Sequence, residues 1–170
     1  MTVTTAVSNA PSPTAPTLVD RAFQLGYKVA YRLMRTAWRL TNPLTHGALV
    51  LIWSRGEVLL VRNSYVSYYS APGGFVKPQE DARDAARREL LEEVGLHVQP
   101  DSLTLALELT HPWEYKRDHV KVFELTLDER PVVNVDHREV VEALWVAPQD
   151  ALRMNVFPPL KRVIQERLAR

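Results

Sequence analysis

The chain contains no cysteine in 170 residues. That excludes disulfides, thiolate metal sites and a cysteine nucleophile together, and it suits a reducing compartment, so a cytoplasmic location is expected. Charge of one sign is also missing: 21 Lys and Arg face 20 Asp and Glu, a net of +1. No overall field draws in nucleic acid, and no nucleic-acid partner is expected. No apolar run approaches the roughly 20 residues that cross a bilayer, and no internal repeat is visible. Residues 1–16 are rich in Thr, Ala, Ser and Pro. They lack a basic start and an apolar core, so they read as a disordered tail rather than a signal peptide. The remaining length fits one domain around one core.

The most informative stretch runs from Gly73 to Leu96. Ala71-Pro72 leads into a Gly73-Gly74 turn, a loop follows, and a charged helix begins near Asp81. Ala82, Ala86, Leu90 and Val94 recur four apart and give one core-facing stripe, and Gly95 supplies a left-handed stop. Glu89, Glu92 and Glu93 fall at i, i+3 and i+4, so their carboxylates stand side by side and repel one another. A hard dication resolves that conflict, because Mg²⁺ takes oxygen ligands and keeps waters that a phosphate can displace. The competing reading is a solvated acidic face partnered by Arg87 and Arg88.

Context decides between them. Gly74, five residues, Glu80, seven residues, then Arg88-Glu89-Leu90, Glu92-Glu93 and Gly95-Leu96 resembles the complete signature of the Nudix hydrolases. Seven fixed types, each at a background near roughly 7%, coincide about once in 10⁸ windows. The resemblance implies hydrolysis of a nucleoside diphosphate linked to another group, with Mg²⁺ or Mn²⁺ and attack by water on phosphorus. It implies Glu89, Glu92, Glu93 and the Gly73 carbonyl as metal ligands, and a Glu80–Arg88 pair that fixes loop against helix. The base stays open between Glu89 and a downstream acid, Glu139 or Glu142. Many relatives carry Glu where Lys77 stands here, so Lys77 reaches a substrate phosphate or sits in solvent.

Residues 18–40 form a second informative stretch, helical in pattern. Arg21, Lys28, Arg32, Arg35 and Arg39 fall within an arc of roughly 60°, and the rest is largely apolar. Four readings compete: packing on its own domain, a homodimer interface, an anionic membrane surface, or contact with acidic substrate or nucleic acid. A homodimer is expected, through this helix. Membrane contact is not, because a small enzyme seldom leaves a greasy face exposed.

Gly47–Trp53 reads as a buried strand, Val58–Arg62 as its hairpin partner, and residues 63–70 as a Tyr-rich loop whose rings stack on a base or cover an edge. Strands follow near 103–110 and 119–127 around a long tip, His111–Asp118, and a last strand covers Val140–Val146. A short helix then opens at Ala147, and a final amphipathic helix starts at Pro158. These elements give an α/β fold: a three-layer α/β/α sandwich with a mixed sheet, as in the Nudix fold, plus an extra N-terminal amphipathic helix. The expected division is a tail at 1–16, the helix at 17–42 and a Nudix hydrolase domain at 43–170. Pro112, 16 residues beyond Leu96, resembles the pattern of ADP-ribose hydrolysing relatives. Lys77, Trp113, Tyr115 and Arg62 are the substrate-binding candidates, with His111 beside them. A nucleoside diphosphate sugar such as ADP-ribose leads as substrate. Nucleoside tri- or diphosphates follow, then a regulator that binds a nucleotide sugar without cutting it.

Overall fold

The structure, a computed structural model, describes residues 16–135 and 137–170. The tail expected over residues 1–16 lies, but for Pro16, outside the described residues. Strand β1 (Leu44–Ser54) is the spine of the sheet. Its residues 48–54 are all buried, which is what a continuous apolar run requires when both faces are covered. Strand β2 (Glu57–Asn63) returns antiparallel through Arg55 and Gly56, whose φ values of 50° and 79° supply the twist of a two-residue hairpin.

Four more strands complete a mixed sheet: β3 (Gly73–Phe75), β4 (Thr104–Trp113), β5 (Lys116–Leu127) and β6 (Val140–Val146). Their order is β4-β5-β1-β2-β6, with β3 also paired to β1. Among the described strands only β1 and β5 pair in parallel, from Leu44 opposite Arg117 to Ser54 opposite Leu127. The alternation of β1 divides the core. Ala48, Val50 and Ile52 face α2 (Ala82–Val94) through Ala85, Ala86, Leu90 and Val94. Leu49, Leu51 and Trp53 face α3 (Pro148–Arg153) and α4 (Pro158–Leu168) through Ala151, Leu160, Val163 and Ile164. The expected three layers are therefore present.

Two local readings change. The long tip expected over His111–Asp118 is a two-residue turn, because β4 continues to Trp113 and β5 starts at Lys116. Glu114 and Tyr115 take φ values of 46° and 71°, and neither is the Gly or Asn that marks such a turn in sequence. Gly73–Phe75, read as turn and loop, is a strand that pairs with Gly47–Leu49.

Helix α1 (Leu18–Thr41) opens with a capping box: the Asp20 N–H donates to Thr17 Oγ1 at 3.2 Å, and the Thr17 N–H donates to Asp20 Oδ2 at 2.9 Å. It ends at Asn42 in the left-handed region. One side packs on the domain: Trp38 is buried, Gln24 donates to the His137 carbonyl at 2.7 Å, and Arg138 pairs with Asp20 at 3.2 Å.

Candidate active site

Strand β3 and the C-terminal half of α2 build the floor. A Cβ on Gly73 would stand 2.7 Å from Leu49 Cα, so the backbone lies against β1 as only glycine permits, with φ 148°. A Cβ on Gly74 would meet Glu89 Oε1 at 2.6 Å, so that glycine is what lets the carboxylate sit against the strand. The Gly73 N–H donates to Glu93 Oε2 at 2.8 Å and ties strand to helix.

Arg88 organises the rest. Its Nε and Nη2 grip both oxygens of Glu80 at 2.9 and 3.0 Å, and Nη2 also reaches the Phe75 carbonyl at 3.1 Å. Its Nη1 pairs with Glu89 and lies 3.4 Å from Glu92 Oε2. Glu80 also accepts from the Lys77 N–H at 2.8 Å. The hydrogen bonds from Arg88, ahead of that N–H, hold its carboxyl near 2.

The two inner carboxylates shift the other way from Glu80, both upward. Burial pushes Glu89 upward, partly offset by Arg88. Glu93, 8% exposed, is pushed up to about 8 by burial, against the Gly73 N–H and with help from the charges of Glu89 and Glu139. Buried carboxylates with too little positive charge beside them suit a hard cation, and the donor set here is all oxygen. Among the described residues no three His, Asp or Glu side chains already converge as a metal cage. Glu89 and Glu92 are instead turned to Arg88.

Above this floor opens a cleft of about 510 Å³, walled by Tyr27, Tyr31, Met34 and Trp38 of α1 and by Tyr65, Tyr68, Trp113 and Phe157. Tyr31 and Tyr65 lie 4.7 Å apart, and Trp113 stands edge-on to Phe157 at 5.0 Å. Lys116 and Asp118, both buried, form a 2.8 Å ion pair on the same wall. The arrangement joins a carboxylate floor suited to a cation to an aromatic chamber.

The NUDIX domain model matches residues 43–166 of this sequence. The chain belongs to the Nudix family. An uncharacterized Nudix hydrolase of Nostoc is 33% identical over 126 residues, covering 73% of each chain. Nucleoside diphosphate-linked moiety X motif 6 of Xenopus laevis is 30% identical over 113 residues, 65% of this chain and 52% of that protein. The NAD-capped RNA hydrolase NudC of Pseudomonas syringae is 27% identical over 124 residues, 72% of this chain and 41% of that protein. The chain thus spans about half or less of the length of these last two relatives. In structure, the Nudix domain of Shewanella oneidensis NrtR complexed with ADP ribose superposes with a TM-score of 0.63 at 16% identity, over 74% of this chain and 88% of that one. That likeness is one of fold.

Within this Nudix cleft the expected residues are divided. Gly73, Lys77, Arg88, Glu89, Glu92, Trp113 and Glu139 line it, and Glu93 lies just beneath. Arg62 and Glu142 are absent from the lining; they pair with each other at 2.8 Å, and Glu142 also accepts from Tyr69 at 3.0 Å. Tyr115 sits outside, under the Arg39 guanidinium at 4.8 Å. Sequence reasoning missed the α1 wall and the Lys116–Asp118 pair. The first had a signal: Tyr27, Tyr31, Met34 and Trp38 stand at i, i+4, i+7 and i+11, one helix face. The second needs β5 to begin at Lys116, so that i and i+2 share one face, and the turn before it carries no signal.

Proposed function

We propose that this protein is a Nudix pyrophosphohydrolase that uses Mg²⁺ or Mn²⁺ to cleave the phosphoanhydride of a nucleoside diphosphate linked to another group, foremost a nucleoside diphosphate sugar such as ADP-ribose. The observation that carries this reading is the placement of Glu93 against Gly73 and of Glu89 against Gly74, with Glu92 on the lining beside them, at the floor of an aromatic-walled cleft. Glu89, Glu92, Glu93 and the Gly73 carbonyl would hold the cation, which when bound offsets phosphate charge and acidifies water.

The chain's own groups supply the rest. Lys77 stands on the cleft edge as a point charge for a phosphate. Trp113, Tyr31 and Tyr65 offer faces for a base, and the Lys116–Asp118 pair offers a polar handle beside them. The proton of the attacking water goes to Glu89 or Glu139, which both line the cleft, whereas Glu142 is tied to Arg62. Glu139 Oε1 accepts from Tyr65 Oη at 2.9 Å, which orients it toward the chamber side. The Glu→Gln variant that loses turnover yet keeps its cation-induced rise in melting temperature identifies the base.

The deciding experiment is turnover of a panel of ADP-ribose, other nucleoside diphosphate sugars, nucleoside tri- and diphosphates and NAD-capped RNA, with and without Mg²⁺, with product identification. Mg²⁺-dependent release of AMP from ADP-ribose supports the reading. Tight binding of ADP-ribose without turnover of any compound replaces it with a nucleotide-sugar-binding regulator.

A further inference from the structure

Helix α1 carries more than a cleft wall. Its packed side uses Asp20, Gln24, Tyr27, Tyr31, Met34 and Trp38. The opposite side presents Leu18, Leu25, Val29, Leu33 and Leu40, spaced so that all fall within an arc of about 80°. Leu25, Leu33 and Leu40 are 63, 67 and 85% exposed. Five large aliphatic side chains in one outward row, along a helix about 36 Å long, form a patch that a folded domain seldom leaves wet.

One border of that row is cationic. Arg21, Lys28, Arg32 and Arg39 follow it along the helix, all exposed, and Arg21, Lys28 and Arg32 form no ion pair among the described residues. The helix has one acid, Asp20, and it is occupied by Thr17 and Arg138. Three kinds of occupant compete for the face, and charge separates them. In a second copy docked antiparallel, each flank meets its own counterpart, so the four cations would oppose four cations. A parallel pair would instead bury the cations against the partner's Val19, Phe23 and Ala30 flank. Residues 1–15 offer only Met1, Val3 and Val7 as large apolar side chains, too few to cover the row. A bilayer with anionic headgroups satisfies both halves at once, hydrocarbon for the leucines and phosphate for the border. No helix among the described residues is long and apolar enough to cross a membrane, so this one would lie in the plane of the surface.

We propose that the outer face of α1 docks on an anionic lipid surface while its inner face continues to wall the cleft. This reverses the expectation of no membrane contact, which assumed that the apolar side would be buried. The packed side of the helix turned out to be its aromatic side.

The test is co-sedimentation of the full chain with vesicles of phosphatidylcholine containing about 30% phosphatidylserine, and with phosphatidylcholine alone. The expected result is binding to the anionic vesicles at least about tenfold tighter than to neutral ones, weakened by raising salt from about 0.1 to about 0.5 M. The double variant Leu25→Glu, Leu33→Glu should lose binding more than about tenfold at unchanged melting temperature and helix content. Arg21→Gln with Lys28→Gln and Arg32→Gln should lose the preference for anionic vesicles. Absence of sedimentation with anionic vesicles at low salt overturns the proposal, as does equal binding to both lipids. A dimeric mass by light scattering that the Leu→Glu pair reduces to monomer, without vesicle binding, assigns the face to a second copy instead.

Discussion

Replacing Glu93 by Gln separates the role of this carboxylate in the fold from its role with the cation. The Glu93 side chain is 8% exposed and its carboxyl is pushed up to about 8, mainly by burial. A folded-state value above the unfolded one means that folding takes up a proton, so stability falls as pH rises from about 4.5 toward about 8 and then levels. At pH 7 the cost is bounded by 1.36 × (7 − 4.5), about 3 kcal/mol, and relaxation of the site lowers it further. Gln keeps the volume and the acceptor for the Gly73 N–H without any charge to bury. The variant should therefore be more stable than the parent at pH 7 in chelator, by roughly 2 kcal/mol or on the order of 5 °C, with the gap closing at pH 5. Millimolar Mg²⁺ should raise the melting temperature of the parent and not of the variant, and turnover should fall by at least about a thousandfold. Thermal scans at pH 5, 7 and 8 with and without Mg²⁺ read all of this. If Glu93→Gln is less stable than the parent at pH 7 in chelator, or is stabilised equally by Mg²⁺, the carboxylate is not a cation ligand held under strain.

Other substitutions test separate parts. Gly73→Ala should cost about 2–4 kcal/mol by urea denaturation, because its Cβ would meet the β1 backbone at Leu49 and no flexible side chain can yield there. Glu80→Gln frees the Arg88 fork without touching the cleft floor, and should weaken Mg²⁺ binding about 10- to 100-fold by calorimetry while leaving the fold intact. Trp38→Ala should raise KM for ADP-ribose at least about tenfold with a smaller change in kcat, since it removes a chamber wall remote from the Gly73–Glu93 floor; an unchanged KM would remove α1 from substrate recognition.

What was legible in the sequence followed from how local the cause was. The spacing from Gly74 to Leu96 sits on one turn, one loop and one helix, so its consequences appear in place: the Asp81 cap, the Ala86–Leu90–Val94 stripe, the left-handed Gly95 and the Arg88–Glu80 grip. The positions of five strands along the chain followed from their apolar runs, whereas the order in which they pair did not. The Glu114–Tyr115 turn was hidden because its residues carry no turn signal, and with it went the start of β5, which sets Lys116 and Asp118 on one face of one strand. Arg62 and Glu142 illustrate another limit. They are 80 residues apart in sequence, and only the antiparallel β2–β6 pairing makes them neighbours that satisfy one another.

Helix α1 shows why amphipathicity alone assigns the wrong side. The basic stripe against a broad apolar face suggests that the aliphatic side packs inward, yet an aromatic side chain buries more area per rotatable bond and also carries a polar tip. Tyr31 reaches Glu114, Trp38 lies edge-on to Phe75 at 6.3 Å with the Lys116 ammonium 5.0 Å from its ring, and Tyr27 and Tyr31 approach Tyr65. These contacts need ring edges, faces and hydroxyls at set positions, which leucines cannot offer. The domain therefore takes the Tyr–Tyr–Met–Trp face, and the leucines are left outward by exclusion. The same choice that completes the substrate chamber creates the exposed row, so the wall of the cleft and the lipid-facing surface are two sides of one helix.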